Sequence, residues 1–138
     1  MRGGASILLA DKTVDYLYSY FCMNDIENCC YTTALKDDNS TLKVADCSSV
    51  LGLHPIDISQ YSIVFGSAEH SIGITGCTIV IIREELIKAN IKIPSMFSFE
   101  VMLRTNSIFN TPNCFAVYVL GENVKYLKQA YGAPEKAQ

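Results

Sequence analysis

The run Thr78-Ile79-Val80-Ile81-Ile82-Arg83 constrains this chain more than any other segment. Side chains branched at Cβ are stiff and pack well on a pleated surface, so a succession of them predicts a strand. Shorter runs repeat the signal. Residues 15–22 (DYLYSYFC) are rich in Tyr and Phe, residues 42–45 (LKVA) are a brief apolar run, and residues 62–65 (SIVF) read as another strand. The clearest helix opens at Thr111-Pro112. Thr111 is expected to cap it, Pro112 suits its first turn, and Phe115, Val119, Val124 and Leu127 recur near helical spacing. Gly132 and Pro134 end it. Gly121 weakens its middle and is expected to mark a close contact or a kink. Between these elements, residues 24–39 are polar without a helical period. Residues 55–59 allow at most a short helix, residues 84–88 begin another, and residues 94–110 read as loop or irregular chain. Strands followed by one good helix point to an α/β fold.

With 138 residues, the chain suits one domain with a moderate core. Apolar residues make up 49% and charged residues 18%, an excess that fits buried strands or a surface that wants a partner. The net charge is −3, with no basic run, no Lys/Arg stripe and no Trp, so nothing recruits nucleic acid. The longest apolar run, residues 114–120, is far short of a membrane span. The start, MRGGASILLA, lacks a signal-peptide core, and the chain reads as non-secretory and cytoplasmic. Six cysteines are present. Cys22, Cys47, Cys77 and Cys114 lie in or beside apolar runs, where a free thiol acts as a small hydrophobe. Cys29 and Cys30 are adjacent and no C-x-x-C pair occurs, so neither a disulfide framework nor a metal site is expected. Asn39-Ser40-Thr41 fits the glycosylation pattern by chance.

Two places carry candidate chemistry. Asp46 ends the 42–45 run, and the carboxyl ends of strands are where open α/β sheets keep their ligands. After the 62–65 run, Gly66, Ser67, Ala68 and Gly73 surround His70 with small residues, which permit close backbone approach to a ligand.

Three segments, in order, resemble the phosphoserine aminotransferases, which are pyridoxal-phosphate (PLP) enzymes of the class V aminotransferase family. Val44-Ala45-Asp46-Cys47-Ser48-Ser49 is similar to that family's strand ending Asp-Met-Ser-Ser. Residues 61–85 (YSIVFGSAEHSIGITGCTIVIIREE) resemble its cofactor-lysine turn and the next strand. Residues 106–128 (NSIFNTPNCFAVYVLGENVKYLK) resemble its Asn-Thr-Pro-Pro-x-Phe helix entry. The resemblance spans residues 15–132. It implies a partial, mostly parallel sheet of the PLP-dependent transferase fold type I large domain, with a C-terminal helix. Residues 1–14 form an unassigned N-terminal segment and residues 133–138 a frayed tail.

The resemblance assigns roles residue by residue. Asp46 matches the carboxylate that keeps the cofactor's pyridine nitrogen protonated. His70 matches the Schiff-base lysine, yet imidazole cannot condense with an aldehyde, so no covalent aldimine forms at His70. Glu69 stands where the family has a glutamine near the cofactor phosphate. A carboxylate cannot donate, and at about 5 Å and an effective dielectric near 20 each like-charge pair costs roughly 3 kcal/mol. Cys22-Met23-Asn24-Asp25-Ile26 is similar to the family's Cys-x-Asn-Glu-Thr, with Ile26 in place of a threonine whose hydroxyl touches the cofactor, and Cys29 replaces a nearby glycine. Asn110 and Thr111 match the intact pair that reaches a dimer partner's cofactor phosphate, and Asn113 replaces the motif's second proline.

The complete family chain is more than twice as long. A full Gly-rich phosphate turn, a stacking aromatic and the small domain with its substrate arginine have no counterpart here, although Gly3-Gly4-Ala5 resembles a remnant of the turn. The family reaction is glutamate-dependent amination of 3-phosphohydroxypyruvate in serine biosynthesis. The substitutions imply a truncated, catalytically inactive homologue, with Lys88 and Lys92 lying beyond the next strand and not obvious substitutes for the lysine. Part of a doubly wound sheet leaves apolar faces uncovered, so marginal stability, self-association or a bound partner is expected. The partner would be a second copy, or a full-length phosphoserine aminotransferase to which Asn110 and Thr111 are offered. A fragment without selected function and a residual enzyme holding PLP noncovalently are the other readings.

Overall fold

The computed structural model describes residues 17–25, 30–31, 41–87 and 92–132. The N-terminal segment 1–14, Gly3-Gly4-Ala5, Ile26, Cys29, Asn39, Lys88 and the tail 133–138 lie outside the described residues. Strands β1 (Tyr18–Cys22), β4 (Leu42–Asp46), β5 (Ile63–Ser67) and β6 (Thr78–Ile82) form one sheet in the order β1-β4-β5-β6. β1 and β5 both run parallel to β4, and β6 closes the edge antiparallel to β5. The sheet is therefore mostly parallel. Two short strands, β2 (Asn24–Asp25) and β3 (Cys30–Tyr31), pair antiparallel by themselves inside the stretch whose sequence showed no helical period.

The register sets the two faces. Cys22, Asp46, Phe65 and Val80 are aligned across the sheet, as are Phe21, Ala45, Val64 and Ile81 one residue earlier or later. Successive side chains on a strand point to opposite faces, so these rows lie on opposite sides. The second face is covered over β1, β4 and β5 by the chain that follows β4, while Ile81 on the edge strand β6 stays exposed. There Met23, Ala45, Cys47, Val50, Tyr61 and Val64 form the buried core, with Phe21, Leu51 and Ile56 packed against it. The first face stays open: Tyr18, Tyr20, Leu42 and Val80 are exposed.

Two helices follow. Residues 94–110, expected to be irregular, contain α1 (Phe99–Arg104), because Ser98 caps it by accepting a hydrogen bond from the Val101 amide. Helix α2 (Cys114–Tyr131) starts later than the sequence suggested. Its cap is Asn113, whose side chain accepts from the Ala116 amide at 3.1 Å, so Thr111 is not the cap and Pro112 precedes the helix. Asn113 offers an amide carbonyl oxygen where Thr would offer a hydroxyl, and it lies closer to the first apolar turn. The expected contact at Gly121 is also absent: a Cβ built there meets nothing within 4 Å. α2 touches the turn after β5 through Leu120, beside Gly73, and through Asn123, which donates to the Ile72 carbonyl at 3.2 Å.

Candidate functional site at the carboxyl end of the sheet

Asp46 ends β4 and lies on the open face. Its Oδ1 accepts from the Ser48 amide at 3.0 Å and from the Ser48 hydroxyl at 2.7 Å, an Asx-type turn that bends the chain immediately after the strand. Its Oδ2 accepts from the Tyr20 hydroxyl at 2.8 Å. Tyr20 reaches it because β1 pairs with β4 in parallel register, placing Tyr20 opposite Val44, two residues before Asp46 on the same face. The Tyr20 ring also lies 6.4 Å from that of Phe65, in a tilted arrangement. The neighbouring strand end is tied in through Ser48, whose hydroxyl accepts from the Ser67 amide at 3.2 Å, while the Cys47 amide donates to the Phe65 carbonyl at 2.7 Å.

Charge follows from these contacts. Partial burial pushes the Asp46 carboxyl up, but the Ser48 hydroxyl, the Ser48 amide, the Tyr20 hydroxyl and nearby His70 outweigh it and hold its pKa below the ordinary range. Asp46 is thus an anion at neutral pH. The reciprocal effect appears at Tyr20: desolvation first, then the carboxylate it donates to, pushes its hydroxyl up to about 12, so it remains a donor. Burial, with Asp46 and Cys22 nearby, pushes the Cys47 thiol up to about 11, so it stays an unreactive core thiol.

Glu69 and His70 sit on a single 3-10 turn, residues Ala68–His70, directly after β5. Both are exposed. The Ser67 hydroxyl donates to Glu69 Oε2, and His70 Nε2 lies 4.0 Å from Glu69 Oε1. The Ser67 hydroxyl first, then the Glu69 amide, hold the Glu69 carboxyl below its ordinary range, so it too is an anion. Two of the small residues around this turn are needed for packing within the chain. A Cβ on Gly66 would stand 2.9 Å from Leu51 Cδ2 and 3.3 Å from the Cys47 backbone, and one on Gly73 would stand 3.0 Å from Ala68 Cβ. The chain's own neighbours stand where these side chains would be, so glycine at both positions lets the protein pack closely on itself.

The structure therefore gathers Asp46, Glu69 and His70 at one end of the sheet. Asn110 and Thr111 lie in the exposed segment before α2 and take no part in the hydrogen bonds around Asp46.

The aminotransferase class V family model matches residues 24–138. The chain belongs to the class V aminotransferases. Among curated relatives, the phosphoserine aminotransferase of Paraburkholderia phymatum is 36% identical over 119 residues, covering 86% of this chain and 33% of the relative. That of Burkholderia vietnamiensis is 34% identical over the same shares. Among solved structures, phosphoserine aminotransferase from Bacillus circulans subsp. alkalophilus superposes with a TM-score of 0.80 at 30% identity, covering 88% of this chain and 34% of that one. The PLP-bound phosphoserine aminotransferase of Trichomonas vaginalis has the same fold, with a TM-score of 0.75 at 22% identity over 87% of this chain and 34% of that one. This class V chain thus spans about a third of the length of the relatives it matches. The family is PLP-dependent. Among the described residues, no helix of this aminotransferase-family chain is long and apolar enough to cross a membrane, and no cluster of His, Cys, Asp and Glu is arranged to hold a metal.

Sequence reasoning missed Tyr20, Ser48 and Ser67 as members of the cluster. The Asp46-x-Ser48 spacing is an Asx-turn signal and was available. Tyr20 had no local signal, because 26 residues separate it from Asp46 and only the strand register joins them.

Proposed function

We propose that this chain is a phosphoserine aminotransferase-like protein that does not perform the family's Schiff-base reaction. The family reaction is glutamate-dependent amination of 3-phosphohydroxypyruvate. The observation that carries the reading is His70: the turn from Ser67 to Ser71, where the resemblance puts the cofactor lysine, offers an imidazole and no primary amine. The residues present fit PLP only in part. Asp46 is an ionised carboxylate on the open face, suited to hold a pyridinium N–H when the cofactor is bound. Glu69 is a second anion, and its Oε2 already accepts from Ser67, so it opposes a phosphate. The cluster can receive a ring and can neither anchor its aldehyde nor welcome its phosphate.

The test is PLP addition followed by borohydride reduction, intact mass and peptide mapping. The natural chain is expected to give no specific phosphopyridoxyl adduct, and His70→Lys is expected to give one on the new lysine. A specific adduct on a lysine of the natural chain would overturn the reading.

A second reading is favoured by the exposed apolar side chains Phe115, Tyr118 and Tyr126 of α2 and Tyr18, Tyr20 and Leu42 of the sheet. In it the chain is a non-catalytic dimer partner of a full-length aminotransferase, with Asn110 and Thr111 facing that enzyme's site. Co-elution of the two proteins at a heterodimer mass would support it, and separate elution would sink it.

A further inference from the structure

We infer that the Tyr20 hydroxyl is a built-in competitor for Asp46, occupying the carboxylate oxygen that a pyridine ring would need. This rests on the reading of Asp46 given above and adds a residue that the family resemblance does not assign. A carboxylate has two oxygens with about four acceptor directions. Ser48 donates twice to Oδ1, through its amide and its hydroxyl, and both bonds belong to the turn that ends β4. Oδ1 is therefore saturated by structure that cannot leave without unmaking the strand end. Oδ2 is the remaining acceptor, and Tyr20 points its hydroxyl at it from the open face, where a planar ligand would approach.

The ring adds to the hydroxyl's effect. Tyr20 is half exposed, and its aromatic ring lies across the sheet toward Phe65. The side chain thus flanks Asp46 on the open face, between the carboxylate and the Phe65 ring it approaches. A ligand reaching Oδ2 in the plane of the carboxylate must share the oxygen with the phenol or displace it. Sharing weakens the new bond, because a carboxylate already stabilised by donors is a poorer base toward a pyridinium proton. Displacement breaks a charge-assisted hydrogen bond and turns the ring away from Phe65.

Phenylalanine at position 20 removes the hydroxyl and keeps the ring, so it separates competition for Oδ2 from simple crowding. The protein for the test is the His70→Lys chain, which can report occupancy as a covalent label after borohydride reduction, with folding checked by circular dichroism. Adding Tyr20→Phe is expected to lower the PLP concentration for half-maximal specific labelling about tenfold, the ratio at the low end for a hydrogen bond to a charged group, as suits a half-exposed phenol. The gain is expected to vanish when Asp46→Asn is also present, since the hydroxyl acts through that carboxylate.

Specific labelling of His70→Lys that Tyr20→Phe leaves unchanged or weakens would overturn the competition alone and leave the reading of the site standing. A gain that persists with Asp46→Asn would also overturn it, by showing that the phenol acts elsewhere. Labelling that appears only when Tyr20→Phe joins His70→Lys would support the competition in its strongest form. No specific label on either chain would overturn both the competition and the proposed ring site.

Discussion

Beneath the sheet, Val64 is 3% exposed and Val50 2%, whereas on α2 Phe115 is 67% exposed and Ala116 is the buried residue. The covered face of the sheet is held by long-range packing: Tyr61, Met23, Cys47 and Val50 come from three separate stretches, and the Tyr61 hydroxyl even donates to Met23 Sδ at 3.3 Å. α2 is held by its own hydrogen bonds, its Asn113 cap, and contacts with the turn at residues 72–76, where Leu120 and Asn123 meet residues 72–73 and Asn113 and Ala116 lie beside Gly76. The comparison teaches that one family-derived segment contains two kinds of stability. The sheet is held by packing from several stretches of chain, and the helix by its own hydrogen bonds and cap together with its contacts to one turn. The candidate site sits on the first kind, because the turn after β4 that holds Asp46 is also the start of the core cover.

The largest expected effect is in the core. Val64→Ala removes two methyl-sized groups from a fully enclosed position and should cost about 2 kcal/mol, measured by urea unfolding, since the surrounding core cannot collapse fully into the gap. A loss below a few tenths of a kcal/mol would break the contrast. Asn113→Ala removes the α2 cap and should cost about 1 kcal/mol. Amide exchange should quicken within α2 while β4 and β5 keep their protection, and equal loosening of the sheet would show that the helix is a structural part of the core. Gly121→Ala should act in the opposite sense. The position is open, so the added methyl meets nothing, and helix propensity should raise protection of α2 by roughly 0.5–1 kcal/mol. A destabilising result there would reveal a neighbour on the open side of the helix and sharpen the second functional reading.

The local signals were legible for clear reasons. The β-branched run became β6, the SIVF run became β5, and LKVA became β4, because strand preference was strong at β6 and was joined by burial at β4 and β5. The stretch before α2 was less legible. Ser98 and Thr111 are both acceptable caps, and which side chain meets a free amide depends on where the chain turns. The glycines around His70 carry a similar ambiguity. Small residues signal close approach, but sequence does not say whether the approaching atoms belong to a ligand or, as with Leu51 and Cys47 at Gly66, to the chain itself.

The sequence by itself determined the order of strands and the final helix, the segments that carry the family resemblance, and the absence of a primary amine at position 70. These are properties of residue type and spacing along one dimension. Tertiary structure alone decided that Tyr20 would meet Asp46, that Ser67 would bridge Ser48 and Glu69, and that one face of the sheet would be covered while the other stayed open. Those outcomes follow from strand register, which brings together residues far apart in the chain and which changes the face of every side chain if it slips by one position.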